Sequence, residues 1–202
     1  MSFSRGRPLM AEAVAESDAA LLARYAQGDG RAAQELVARL APRAHAVARR
    51  VLGDAAEAED VTQEAMLRLW RIAPDWEHGQ AQVSTWVYHV TMNQCRDLLR
   101  RRRGGNAALD DIPEPADPAP DMAQRLQQAA REDALQAALM TLPERQRQAV
   151  VLRHLEELSN PEIAEIMEIG VAAVESLTAR GKRALARSLA GRRAALGYKD
   201  HG

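Results

Sequence analysis

The chain has 202 residues, 27 of them basic and 28 acidic, for a net charge of −1, and only 3% are aromatic. A composition led by Ala, Leu and Arg favours helices and disfavours a β-sandwich. No apolar run reaches the length of a membrane span, the start carries no signal-peptide pattern, and the single Cys95 has no partner for an internal disulfide, so a cytoplasmic setting without membrane insertion is expected.

The charges are gathered in blocks. "RDLLRRRR" (96–103) is basic, "LDDIPEPADPAPD" (109–121) is acidic and proline-rich, and from Arg180 to Lys199 every charged residue is basic. Such asymmetry under a neutral total points to nucleic-acid contact held under restraint.

In chain order, residues 1–18 read as a tail. Leu36, Leu40, Val47 and Val51 then recur at helical spacing, with Pro42 predicting a kink or break and "GD" at 53–54 an end. The next predicted helix runs from Ala55 to Ile72, where Pro74 stops it. Ala58, Val61, Ala65, Leu69 and Ile72 share its core face. Asp60, Gln63, Glu64, Leu67 and Arg71 lie opposite, with Trp70 at the edge. An exposed polar stripe is most often solvated surface, but the large apolar Leu67 and Trp70 beside it favour a docking face.

A third helix is predicted from Ser84. Val87, Thr91, Gln94 and Leu98 point inward, and Trp86, His89, Asn93, Arg96 and Arg100 share another face. An aromatic ring, an amide and guanidiniums on one strip suit single-stranded nucleic acid: bases stack, the amide bonds base edges, and arginines neutralise phosphates. A buried Trp and a solvated Arg run fit the periodicity equally well. "GGNAALDDIPEPADPAPD" (104–121) cannot build a core and reads as a flexible linker.

Past the linker, Ser159 and Glu162 form a capping box, and Pro161 sits in the first helical turn. Ile163, Ala164 and Met167 face inward, and Glu168-Ile169-Gly170 breaks the helix. A second helix starts at Val171, with Val174, Thr178, Gly181, Leu185 and Leu189 inside and Ser176, Arg180, Arg183 and Arg187 outside. Ala164 and Gly181 are small where these two helices are expected to cross. The pattern is that of a helix-turn-helix, whose second helix enters the DNA major groove, although a plain αα-hairpin with a basic rim shares it. Arg180 suits a bidentate bond to guanine, and Lys182 and Arg187 suit phosphates.

"LGDAAEAEDVTQEAMLRLWR", "STWVYHVTMNQCRDLLRRRR" and "LPERQRQAVVLRHLEELSNPEIAEIM" together resemble the extracytoplasmic-function group of bacterial RNA polymerase sigma factors. The resemblance implies an all-α chain of two small domains. Residues 19–103 would be the region 2-like bundle, 104–122 the acidic linker, 123–192 the region 4-like helix-turn-helix and 193–202 a tail. It implies that Asp60, Gln63 and Glu64, with Leu67 and Trp70, dock on the β′ clamp of core polymerase. Trp86 and Asn93 match positions near the melted −10 element, and the loop 74–83, with Trp76, matches one that receives a flipped base. His89, Arg96 and Arg100 complete that strip. Region 4 would touch the β flap and read the −35 element through Glu175, Ser176, Ala179, Arg180, Lys182, Arg183 and Arg187. The family's recognition helix often reads V-x-x-V-K-S-R. Here Glu175 and Leu177 replace two usual cations, so a different base code is expected.

The implied function is promoter recognition and melting for core polymerase, under an anti-sigma factor. No catalysis, cofactor or metal is implied. A stand-alone helix-turn-helix regulator and a helical enzyme are the rival readings. In the free protein, the linker or a docking of the two domains is expected to screen both Arg100–Arg103 and the Arg180–Arg187 face.

Overall fold

The structure, a computed structural model, describes residues 16–77, 82–104 and 122–190, with the backbone alone for 122–126. Residues 1–15 of the predicted N-terminal tail, the whole predicted C-terminal tail, most of the linker and part of the loop 74–83 lie outside the described residues. The last residues of the expected N-terminal tail are instead ordered, with Ser17 capping α1 and Asp18 opening it. Among those described there are eight α-helices and one 3-10 turn, the all-α class expected.

The first half holds α1 (Asp18–Ala26), α2 (Gly30–Leu52), α3 (Ala55–Ile72) and α4 (Val83–Gly104), with a 3-10 turn at Ala73–Asp75 between α3 and α4. Three N-caps set the helix starts. The side chains of Ser17, Asp29 and Asp54 accept from the backbone N–H groups of Ala20, Arg31 and Glu57, groups that would otherwise lack partners. Gly53 ends α2 in the left-handed region at φ 76°, which costs glycine little.

Of the kink or break expected at Pro42, the break does not occur: one helix runs from Gly30 to Leu52 with the proline inside it. A proline inside a helix costs about 3 kcal/mol. Here Leu36, Leu40, Ala44, Val47 and Val51 are all buried on one face that continues past it, and each large buried side chain offsets about 1.5–3 kcal/mol. Packing therefore overrides the local signal.

The second half holds α5 (Met122–Met140), α6 (Glu144–His154), α7 (Asn160–Met167) and α8 (Val171–Ala190). The capping box on α7 is present in full. Gly181 is buried, but its close neighbour is not Ala164 of α7 as expected. A Cβ there would lie 2.6 Å from Val150 Cγ2 and 3.0 Å from the Gln146 carbonyl oxygen, both on α6. The small residue thus sets the α6–α8 crossing. Overpacking costs about 1–3 kcal/mol, against a helix gain of about 1 kcal/mol for Gly→Ala. Gly181→Ala should therefore cost up to about 2 kcal/mol of stability, read as a lower urea midpoint. Gly170, which has open space around its would-be Cβ, should tolerate Ala.

Two clusters form the core. One belongs to the first half alone: Leu21, Leu22, Leu36, Leu40, Met66, Leu69 and Val87 are among its members. The other joins the halves. Val47, Val51 and Leu52 of α2 and Tyr88, Met92 and Cys95 of α4 share it with Leu139, Val150, Leu152, Ile163, Ile166 and Met167. α7 lies against α4, and α5 and α6 lie against α2.

Candidate protein and nucleic-acid interfaces

The buried and exposed faces of α3 fall where the spacing puts them. Ala58, Val61, Ala65 and Leu69 are buried, and Ile72 is half-buried. Asp60, Gln63, Leu67 and Arg71 are exposed on the far side. Leu67 leaves 49% of its surface in water. Glu64 accepts from Arg68 Nε at 2.8 Å, and that bond holds its carboxyl below the ordinary range. Trp70 is half-buried, tilted on Tyr25 with centroids 4.6 Å apart. Beside this face, α2 and α3 frame an open groove of about 650 Å³ lined by Val37, Ala41, Pro42, Met66, Leu67 and Trp70, among others. Val37, 41% exposed, was missed from the sequence. Its one signal is an apolar residue set beside the buried stripe of α2.

The α4 strip is less open than expected. Val87 and Thr91 point into the core, and Gln94 and Leu98 are half-buried. Trp86 is half-buried against the first-half cluster, edge-on to Trp76 with centroids 6.2 Å apart. Trp76 Nε1 is buried with no hydrogen-bond partner. Of the two readings of Trp86, the packed ring describes its present state. Further along, Arg96 donates to the Asn93 side-chain oxygen, and Asn93 lies 3.4 Å from His89 Nε2. Arg100 is largely exposed and pairs with Asp97 at 2.9 Å.

These residues meet the other half of the chain. Glu168, which ends α7 in the left-handed region at φ 54°, places its carboxylate 3.0 Å from His89 Nε2 and 3.8 Å from Arg96. The His89 bond, with Arg96 second, holds the Glu168 carboxyl below its ordinary range. Tyr88 donates to Glu156 at 2.8 Å, and burial, reinforced by Glu156, pushes its hydroxyl upward. Arg50 stands 3.8 Å from the same Glu156. Arg102 is held by Glu57 at 2.6 Å, and Arg103 pairs across the junction with Glu144. Gln136 Nε2 donates to the Arg49 carbonyl at 3.2 Å. A Cβ on Gly53 would lie 2.8 Å from Met140 Sδ. Cys95 is fully buried in the shared cluster, and burial pushes its thiol up to about 12.

The α8 face is different. Glu175, Ser176, Ala179, Arg180, Lys182, Arg183 and Arg187 are all exposed. Val174 and Gly181 are buried on the inner side, with Thr178, Leu185 and Leu189 half-buried. Arg180 Nε donates to the Ser176 carbonyl at 3.2 Å, and Asn160 Nδ2 reaches Glu175 at 3.5 Å. The linker, one of the two expected screens, lies almost wholly outside the described residues; for docking, the expectation that both basic faces are covered needs correcting. Docking engages His89 and Arg96 of the α4 strip and, of the Arg100–Arg103 run, Arg103 through Glu144. Arg100 pairs with Asp97 and Arg102 with Glu57 of its own half, and the Arg180–Arg187 face remains in solvent.

Among the described residues no group of His, Cys, Asp and Glu could hold a metal ion, and no helix is long and apolar enough to cross a membrane. The family model for Sigma-70 region 2 matches residues 36–104, and that for Sigma-70, region 4 matches residues 132–185. The chain is 35% identical over 174 residues to the ECF RNA polymerase sigma factor SigM of Mycobacterium tuberculosis, covering 86% of this chain and 85% of that protein. It is 29% identical over 178 residues to the ECF RNA polymerase sigma-E factor of Escherichia coli, covering 84% and 92%. The solved structure of CnrH in complex with the cytosolic domain of CnrY matches with a TM-score of 0.65 at 26% identity, covering 87% of this chain and 99% of that one.

Proposed function

The chain belongs to the extracytoplasmic-function RNA polymerase sigma factors, and from that premise we propose how its residues divide the work of bringing core polymerase to a promoter and opening it. The observation that carries the division is spatial. The region 2 match covers the α3 and α4 faces, and the region 4 match covers the exposed α8 face. Residues 19–103 form the first working unit, 104–122 the link and 123–192 the second.

Asp60, Gln63 and Glu64 supply the polar contacts to the β′ clamp, with Leu67, Trp70 and the groove beside them as apolar anchors. Trp76, Trp86, His89, Asn93, Arg96 and Arg100 serve the opened −10 strand, with stacking from the rings and phosphate neutralisation from the arginines. The α8 face reads the −35 duplex, where Glu175 is suited to accept from cytosine N4. The protein binds rather than catalyses, and it works in the cytoplasm, where its polymerase is. An anti-sigma factor is the regulatory partner. The CnrH complex supports this, since that relative is solved with the cytosolic domain of a second protein seated on it.

The test is run-off transcription on genomic fragments with core polymerase. Discrete new transcripts are expected with chain plus core, and none with either alone. If the chain binds duplex DNA but adds no transcripts to those of core alone, the rival reading as a stand-alone regulator replaces this one.

A further inference from the structure

We propose that the docked halves form a selective lock: Glu168 of the helix-turn-helix occupies the single-strand strip of α4, while the duplex-reading helix α8 stays open. The proposal rests on the division of work given above. It goes beyond that division in stating which DNA contact the free protein withholds and which it offers.

Three features carry it. First, the turn between α7 and α8 is where the lock engages. Glu168 is the left-handed C-cap of α7 at φ 54°, where its N–H bonds the Ala164 and Glu165 carbonyls and the chain turns toward α8. Here its carboxylate reaches His89 at 3.0 Å and Arg96 at 3.8 Å. Those two groups, with Asn93 bridging them, are the ones a −10 strand would use. A carboxylate there offers two anionic oxygens where a phosphate would offer the same chemistry. Second, the occupation is backed by packing. α7 lies along α4, with Met92, Ile163 and Met167 in one buried cluster. A second clasp, Arg103 to Glu144, holds the far end of α4. Third, the α8 face takes no part. Glu175, Ser176, Arg180, Lys182, Arg183 and Arg187 remain exposed in the docked form.

The functional consequence is an order of events. The locked protein can sample duplex DNA through α8, using phosphate contacts that need no opening. It cannot engage a melted strand until α7 leaves α4. Core polymerase supplies that separation, so strand capture is confined to the assembled holoenzyme.

The test uses the full chain and two probes, a short labelled single-stranded oligonucleotide and a labelled duplex of the same length. Wild type is compared with Glu168→Gln and Glu168→Lys. Glu165→Gln and Glu165→Lys are the controls, because Glu165 is exposed on the same helix and carries the same charge change. A partly exposed ion pair is modest in strength, so Glu168→Gln should tighten single-strand binding by about two- to fivefold. Glu168→Lys should tighten it more, and more than Glu165→Lys does. On duplex, the Lys variants at 165 and 168 should match each other, and the two Gln variants should match each other. Cys95, buried in the cluster that both halves share, gives an independent readout. Its labelling by a thiol reagent should quicken in the Glu168 variants and not in the Glu165 controls.

Equal single-strand gains at positions 165 and 168 would overturn the lock, as would unchanged Cys95 labelling. So would an absence of measurable single-strand binding by every variant. Run-off activity of wild type with core separates the two failures. If transcripts appear while the Glu168 effects do not, the lock is wrong and the sigma-factor division of work stands.

Discussion

Replacing Asp60, Gln63 and Glu64 together by Ala is expected to weaken the complex with core polymerase by about tenfold to a hundredfold while leaving the fold intact. None of the three side chains is buried, and the helix that carries them is fixed by other residues. Asp54 caps its start, and Ala58, Val61, Ala65 and Leu69 anchor its opposite side. Ala also has the highest helix propensity, which offsets the loss of the exposed Glu64–Arg68 and Gln63–Glu59 bonds, each contributing about 0.2–0.5 kcal/mol. What is removed is a cluster of hydrogen-bonding groups around the exposed Leu67. In interfaces, such polar groups matter most when they ring an apolar anchor and are desolvated on binding. Leu67→Ala should therefore compound the loss. Trp70→Ala is a poorer probe, because Trp70 also packs on Tyr25 and its removal disturbs the contact between α1 and α3. Anisotropy titration of labelled protein with core gives the affinity, and circular dichroism melting verifies the fold. An unchanged affinity in the folded triple variant removes the docking assignment.

Much of this was legible in the sequence, and the residues show why. The α3 stripe follows from a 3.6-residue period and depends only on near neighbours in the chain. The Ser159–Glu162 capping box is likewise local. Pro42 produces no break because its cost is local while its compensation is not: the buried face of α2 is completed by α1, α3 and α4. Gly181 was recognised as a close-packing site, but its partner, Val150, lies on a helix that the local pattern does not single out. The junction of the halves was the least legible feature. Tyr88 and Glu156 are 68 residues apart, and His89 and Glu168 are 79 apart. Nothing in periodicity or charge blocks pairs one with the other. The acidic character of the turn was visible, but that it would face α4 rather than solvent was not.

The exposed α8 face allows a prediction that needs no opening of the molecule. Arg180→Ala should cost about 1–3 kcal/mol on the preferred −35 duplex and much less on altered duplexes, so that specificity flattens. Arg187→Ala should weaken every duplex alike. The difference is positional. At about 1.5 Å of rise per residue, the two arginines stand about 10 Å apart along the helix. A recognition helix enters the groove by its N-terminal part, which brings Arg180 to base edges and leaves Arg187 beside the backbone. Arg180 now donates to the carbonyl of Ser176, a helix oxygen that is already a hydrogen-bond acceptor, so releasing the guanidinium toward guanine orphans nothing. Arg187 has only a phosphate to gain, and its loss should lower the salt slope of binding by about one unit of log K per log salt. Duplex titrations of the full chain at two salt concentrations, on preferred and altered sequences, distinguish the roles. Equal losses on every sequence for both variants would mean that α8 only holds the backbone. Base readout would then have to come from Glu175 and Ser176, one turn nearer the helix N-terminus.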